Sequence, residues 1–408
     1  MFGESAADRM DKSIVQYTSI LEAQQHGWAV DFYPSDRSQG GVAYTALFRN
    51  GEVTMTCEQP ITNSVTATSY PVGTKVSSLY RIVSETSALL TFDTYNPLFH
   101  YWSQAVPGHA KGYESDYEFT FISASADSVV LRGKKHGNLM KLYPLKEDAA
   151  TYINKVNQSH TTLNGITRKR AIIDGQPVAV SMSNNNLTLK QGSTATTMPF
   201  IYTASGLRFY EQLTVGSVST RELTFNADTQ ELCSADNRFV MPKPTVIEEF
   251  LGTSDQWYFG YDKTTGCSDM CEELANILSD CAKKIKKPNW GYEVLNSAYI
   301  GGNMLSADAD NHRMVIGWIS NDNYGSGAPA YFGYALTMDM DDASRQTITL
   351  QPQEAATGFG DRNYFMAMVE FIGNNNPYLL SFDNNEAPTS VTLTSERDSS
   401  KWFKLTKK

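Results

Sequence analysis

The sequence predicts a mainly β fold with a few helices, an α+β class with an antiparallel lipocalin-like barrel or sandwich at the N-terminus followed by further β modules. Aromatic residues make up 12% of the 408 residues, with 22 Tyr and 19 Phe, and such side chains favour the half-buried surfaces of sheets. Short alternating apolar segments separated by turn residues recur along the chain. A helical apolar spacing precedes them three times, near residues 5, 146 and 268.

The first helix is predicted from residue 5 onward. Ser5 and Asp8 form an S-x-x-D pattern, a variant of the capping box that begins helices. Apolar residues then recur at spacings of four, three and four from Met10 to Leu21, which places them on one side of a helix. We expect Gly27 to end this helix in the C′ position, where glycine tolerates a positive φ, and an alternating strand to begin directly after it.

A series of hairpins follows the helix. Asn50-Gly51 lies between two strand-like segments and is the strongest hairpin signal, because a type I′ turn needs a positive φ at both central residues. Two more turns are expected at residues 84–87 and 124–127. About eight short strands precede Pro144, which is typical of an up-and-down barrel or a sandwich. We expect the first helix to plug one end or to pack on the outside.

The repeated order of helix and strands predicts three domains. They are residues 1–145 (helix plus eight-stranded lipocalin-like barrel), 146–244 (middle helix plus β module) and 245–408 (helix plus C-terminal antiparallel β module). The last two could equally form one larger domain. The third helix is expected near 268–286, after residues 242–257, which two prolines mark as a connection. Residues 364–372 are interpreted as a strand.

Composition argues against two classes of partner. The formal net charge of -10 disfavours a nucleic acid, whose binding depends on Lys and Arg side chains that neutralise phosphates. The basic run at residues 283–287 is expected to complement a helix dipole. No run approaches the roughly 20 apolar residues that span a bilayer. The first ten residues have no signal-peptide pattern, so a cytosolic protein and a mature secreted chain both remain, with composition favouring the second.

Motifs for catalysis and metal binding are weak. Cysteines 267, 271 and 281 are spaced C-x3-C-x9-C, which fits no zinc pattern, and reduced structural cysteines are expected. The six histidines include no H-E-x-x-H motif. Acidic residues cluster at 306–312 and 339–344, where solvated turns are expected and a weak calcium site is the alternative. We therefore predict no cofactor, no metal site and no catalytic residue.

Several segments resemble a known family. They include "GWAVDFYP", "YTALFRNGEVTM", "LLTFDTYNPLFHYWS" and "MPFIYTASGLRFYE", and the similarity is densest from Phe2 to Leu145. These segments are similar to Bacteroides-type lipoproteins that form a domain of unknown function, often encoded near SusC/SusD-like import genes. The resemblance implies export, a lipid anchor in the outer membrane and SusC/SusD-like partners, but no catalytic residues. The acylated cysteine and leader are not in this sequence, so the anchor is inferred.

Aromatic clusters are the candidate ligand-binding residues. Exposed aromatic rings beside Asn and Asp commonly hold sugars and peptides, whereas aromatics on strands are more often part of the core. A Gly- and Asn-rich loop around residue 324 is a candidate binding rim. The candidates are Tyr95, Phe99, Tyr101, Trp102, Trp257, Tyr258 and Tyr324.

These observations predict a non-enzymatic lipoprotein that is exported and associated with the outer membrane. It would bind a nutrient-derived peptide, glycan or small apolar molecule, the last inside the barrel, as an accessory to an import system. Two alternatives stand beside this prediction. A secreted hydrolase acting on the same nutrients would need facing carboxylates in a cleft, and a structural or partner-binding subunit would need a large exposed aromatic patch.

Overall fold

The structure is a computed structural model that describes residues 5–63, 66–106, 108–166, 168–252, 256–284, 294–302, 313–321, 327–338, 346–352 and 365–407. Within them, strands close into three eight-stranded antiparallel barrels. The predicted mainly β, α+β class is therefore confirmed, and the N-terminal sheet is a barrel, not a sandwich. The chain divides into two compact units, Met1–Lys243 with two barrels and Pro244–Lys408 with the third.

The first helix begins and ends for local reasons. In α1 (Ala6–Ala23), Ser5 Oγ accepts a hydrogen bond from the Asp8 backbone N–H at 3.1 Å, and the Asp8 carboxylate accepts one from the Ser5 backbone N–H at 3.2 Å. The predicted capping box is confirmed. The helix stops earlier than expected, with Gln24 as its C-cap. Gly27 instead forms the turn into the sheet at φ +79°, where an added Cβ would lie 2.6 Å from a backbone oxygen.

The first barrel contains eight strands and carries a small separate hairpin. Asn50 and Gly51 have φ values of 49° and 79°, which confirms the predicted type I′ hairpin. Around the barrel the order is β1-β10-β9-β8-β7-β6-β3-β2, and β4 pairs with β5. The strands are β1 (Trp28–Tyr33), β2 (Val42–Arg49), β3 (Glu52–Cys57), β4 (Ile61–Thr62), β5 (Ser69–Tyr70), β6 (Val76–Ser84), β7 (Ala88–Phe92), β8 (Glu118–Ala124), β9 (Val129–Gly133) and β10 (Leu139–Pro144).

The second barrel follows helix α3 (Ala149–Asn164) and packs against the first. Arg208 donates to both carboxylate oxygens of Asp31 at 3.0 and 2.9 Å, and Asp31 is only 1% exposed. His160 on α3 lies 2.8 Å from the buried carboxylate of Glu58. The strands, paired in this order around the barrel, are β11 (Arg170–Ile173), β12 (Gln176–Ser183), β13 (Asn186–Gln191), β14 (Thr194–Thr203), β15 (Gly206–Val215), β16 (Val218–Asn226), β17 (Glu231–Cys233) and β18 (Phe239–Met241).

The third barrel forms the second unit, with β20 and β21 as a separate hairpin. Its apolar core includes side chains of α5 (Glu272–Lys284) and α6 (Met366–Asn374). The strands are β19 (Gln256–Phe259), β20 (Tyr261–Asp262), β21 (Gly266–Cys267), β22 (Val294–Gly302), β23 (Arg313–Asn321), β24 (Gly327–Met338), β25 (Thr347–Pro352), β26 (Tyr378–Phe382), β27 (Ser390–Ser395) and β28 (Trp402–Lys407).

Two predictions in the second unit are wrong. Residues 242–257 do not form a simple connection, because they contain the helix α4 (Val246–Gly252). Glu248 accepts a hydrogen bond from the Thr245 backbone N–H at 2.7 Å, and Thr245 Oγ1 accepts one from the Glu248 N–H at 3.3 Å. The expected strand at 364–372 is largely the helix α6. The predicted acidic clusters at 306–312 and 339–344 lie outside the described residues.

Candidate functional site

The long connections of the first barrel all lie at one end. Residues 34–41, 58–75, 93–117 and 134–138 join strands there, whereas tight turns join strands at the opposite end. Loops held by a rigid barrel are where binding sites are usually built, because loop residues vary without disturbing the core. We call this part of the molecule the long-loop end.

Aromatic side chains fill the barrel at the long-loop end. Residues 93–117 include α2 (Pro97–His100), and the Phe99 ring of this helix points into the barrel. Its centroid lies 4.6–6.0 Å from four rings that belong to β7, β1, β8 and β2. Phe99 is 1% exposed. The four rings are those of Phe92, Phe32, Phe119 and Tyr44. This part of the interior is therefore packed protein and not a ligand chamber.

Hydrogen bonds fix the segment that carries Phe99. The side-chain oxygen of Asn96 caps α2 by accepting from the Leu98 backbone N–H at 3.1 Å, and Pro97 occupies the first turn. The Tyr44 hydroxyl donates to the Leu98 carbonyl at 3.0 Å and accepts from the Trp102 indole N–H. Because these polar groups are buried and paired, the segment holds one conformation. The Asn-Pro pair in the sequence marks the place where the chain turns into the barrel.

Beside the buried Phe99 segment, two exposed tyrosine rings flank a half-buried histidine ring. Tyr95 and Tyr117 are 49% and 48% exposed, and the His100 ring lies between them, 5.4 Å from each. The His100 and Tyr117 rings are stacked at 25°. The buried Asn63 amide donates to the Tyr95 hydroxyl at 2.7 Å and holds that ring in place. We call Tyr95, His100 and Tyr117 the aromatic surface.

The histidine of the aromatic surface is uncharged at neutral pH. Burial lowers the pKa of His100 below its usual 6.5, against an opposing hydrogen bond with the Asn96 backbone. The imidazole is therefore mostly neutral above pH 6.5 and offers a flat polarisable ring. Such a surface suits the C–H faces of a sugar ring or an apolar peptide side chain.

A polar pocket opens on the same end of the barrel. It has a volume of about 430 Å³ and is lined by residues of 34–41 and 93–117. His109 Nδ1 lies 3.0 Å from the Asp36 carboxylate, and the His109 ring packs 4.3 Å from the Tyr113 ring. The lining residues are Ser35, Asp36, Arg37, His109, Ala110, Lys111, Gly112 and Glu114.

The predicted candidates in the first barrel lie close together but differ in exposure. Tyr95 is half exposed, whereas Phe99 and Trp102 are 1% and 3% exposed and belong to the core. Tyr101 is half-buried against Trp102 and Tyr113. The expectation that this whole cluster offers rings to a ligand is corrected, because the helix α2 turns Phe99 inward and the Trp102 indole is hydrogen-bonded inside.

The other candidates belong to the second unit or lie outside the described residues. Trp257, predicted as a candidate ligand-binding residue, is fully buried in the core of the third barrel, so its ring is not open to a ligand. Tyr258 is half-buried, 5.8 Å from the Tyr299 ring. Tyr324 lies outside the described residues.

The sequence pattern did not reveal two residues of the aromatic surface or the residues of the polar pocket. His100 and Tyr117 are separated by 17 positions, and only the folding of residues 93–117 brings their rings together. A signal was present in Tyr117, which lies just outside β8 where the strand alternation ends. The pocket residues carried no motif. In the described part of the chain, no group of three or more His, Cys, Asp and Glu is arranged to hold a metal ion.

No described helix has the length and apolar character required to cross a membrane.

Two comparisons with known proteins bear on identity. A search of curated proteins found no match. A family match covers residues 1–227, which include the whole first barrel and the second as far as β16. Since this is more than half of the chain, the protein belongs to the family described as a domain of unknown function, DUF4302.

Proposed function

We propose that this protein is a non-enzymatic binding protein that holds a glycan on the aromatic surface of its first barrel. The observation that carries the proposal is the row of Tyr95, His100 and Tyr117, in which two half-exposed tyrosines flank a histidine ring. Large rings exposed together on a rigid support are unusual in a protein that has no ligand for them.

The geometry favours a sugar over a deeply enclosed apolar molecule. Phe99 and its neighbours fill the barrel at the long-loop end, so an apolar ligand has no entrance there. An open row of rings instead suits an extended ligand that lies across the surface. A peptide with an aromatic or apolar side chain could use the same rings, so it is the natural competitor in an assay.

The proposal is tested by measuring binding to a printed array of neutral oligosaccharides and then titrating the best ligand. The change Tyr117→Ala removes one exposed ring without touching the barrel core. We expect its loss to weaken binding about tenfold, since a well-placed aromatic contact contributes roughly 1–1.5 kcal/mol. Tyr117→Phe keeps the ring and should retain most of the affinity.

Ile122→Ala is the matched control. Ile122 is 56% exposed on β8, on the half of the strand that leads away from the long-loop end. Its truncation should leave glycan affinity unchanged. Equal losses in the Tyr117 and Ile122 variants, or no array ligand for the wild type, would contradict glycan binding at this surface. Cleavage of the bound glycan would contradict the non-enzymatic part of the proposal.

We also propose that the protein is exported and lipid-anchored at the outer membrane, where it assists a SusC/SusD-like import system. The support is the resemblance of residues 2–145 to Bacteroides-type lipoproteins, together with a composition rich in Thr, Ser, Asn and Gly. Expression in an exporting host with a native leader, followed by labelling with a fatty-acid analogue and membrane fractionation, tests the anchor. Unlabelled protein in the soluble fraction would count against it.

A further inference from the structure

We propose that the polar pocket at the long-loop end binds a small zwitterion, a ligand with one carboxylate and one ammonium group. This site is distinct from the aromatic surface and does not depend on the glycan proposal. Its volume of about 430 Å³ exceeds that of a free amino acid or a dipeptide. Its charged side chains are of both signs, which a neutral or singly charged ligand would leave partly unmatched.

The cationic part of the pocket consists of Arg37 and Lys111. The Arg37 guanidinium carbon lies 4.1 Å from the centroid of the Tyr210 ring. Within the described part of the chain the Arg37 guanidinium donates no side-chain hydrogen bond, so its N–H groups are available to hold a carboxylate with two hydrogen bonds. Neither cation forms an ion pair with a carboxylate in the described part of the chain.

The two pocket carboxylates are not equivalent. Asp36 is already engaged, because one oxygen accepts from the Ser38 backbone N–H at 3.0 Å and the other lies 3.0 Å from His109 Nδ1. Burial raises the pKa of Asp36, but hydrogen bonds from Ser38 and His109 outweigh it and lower the pKa below its usual value. Glu114 has no ion-pair partner among the described residues. Glu114 is therefore the carboxylate left for the ligand ammonium.

The pocket is built before a ligand arrives. Its two walls are joined by a hydrogen bond from the Asp36 backbone N–H to the Tyr113 carbonyl at 3.1 Å, and the Tyr113 N–H donates to the Trp102 carbonyl at 2.8 Å. Gly112 has φ +64°, and a Cβ there would lie 2.7 Å from the Gln104 carbonyl oxygen. Fixed walls reduce the entropy lost when a small ligand binds.

The test compares three probes by ligand-observed NMR titration of the full chain. L-alanyl-L-alanine has both charges, its N-acetyl derivative lacks the ammonium, and its C-terminal amide lacks the carboxylate. We expect the wild type to bind the dipeptide at least tenfold more tightly than either capped form. Equal binding of the three probes, or binding of none, would overturn the proposal.

Charge-removing variants assign each group to its partner. Arg37→Gln should lose the preference for the dipeptide over the amide while keeping the preference over the N-acetyl form. Glu114→Gln should do the reverse. Lys111→Gln, which changes an exposed side chain, checks the carboxylate preference without touching the Tyr210 contact. A uniform loss for all three probes would mean that these residues only maintain the loop, and would overturn the assignment. Array binding of glycans, measured on the same variants, should not change.

Discussion

A buried ion pair lies in the contact between the first two barrels, and replacing Arg208 by Met should show how much it contributes to the stability of that contact. Arg208 donates to both oxygens of Asp31, which is 1% exposed, and its Nε donates to Glu222 at 2.6 Å. Without the guanidinium, the buried Asp31 carboxylate would lose its hydrogen-bonded cation, and Arg221 and Lys141 would act on it only from a longer range. A broken buried pair costs about 3–5 kcal/mol, mostly because one charge is left uncompensated.

A surface pair in the same unit provides the matched control. Arg238 makes two hydrogen bonds to Asp174, but the two side chains are 42% and 53% exposed. Exposed pairs contribute about 0–1 kcal/mol because water and salt screen them. Arg238→Met therefore makes the same chemical change with an expected effect at least 2 kcal/mol smaller.

Hydrogen exchange followed by mass spectrometry across a urea series resolves the effect by segment. Peptides that contain β1 and β15 should lose about 3–5 kcal/mol of protection in Arg208→Met. The double variant Asp31→Leu/Arg208→Met should recover at least half of the loss, since it removes the unpaired charge as well. Equal effects of the two arginine changes, or no recovery in the double variant, would refute this reasoning.

Three further predictions concern single residues. NMR titration should give His100 a pKa below 6.5 in the folded protein. Because the unfolded chain then binds the proton more readily than the folded chain, protonation of His100 favours unfolding. The stability that depends on neutral His100 is therefore present above pH 6.5 and is lost as the pH falls through the folded pKa. Gly27→Ala should cost at least 1 kcal/mol more than Gly51→Ala in urea unfolding, because both have φ +79° but only Gly27 faces a backbone oxygen at 2.6 Å. A thiol reagent should label half-buried Cys233 before fully buried Cys57, because burial raises the pKa of both thiols but only Cys57 of the two is closed to the reagent.

Local signals predicted most of the first barrel. The Ser5 capping box, the Asn50-Gly51 turn and the alternating segments each depend on residues close in sequence, and the structure follows them. The segment at 364–372 shows where this approach fails. It is apolar at almost every position, so it has no clear period. The folded chain buries Met368, Val369, Phe371 and Ile372, a helical spacing.

The candidate site was only partly predictable. Tyr95 was identified from its neighbours Asn96 and Pro97, and it is exposed. Whether Phe99 faces solvent or core depends on where the long connection meets the barrel, which composition does not encode. The rings of His100 and Tyr117 meet only because residues 93–117 fold back across the barrel end. The pocket likewise combines two connections that are distant in sequence.

The most direct test of glycan binding at the long-loop end uses the unmodified protein. Hydrogen exchange of the full chain is measured with and without the tightest-binding array glycan at saturating concentration. We predict slower exchange in residues 93–117, with no change in the turn at 125–128 at the opposite end of the same barrel. Protection confined to the third barrel, or equal protection at both ends of the first, would contradict the proposed site.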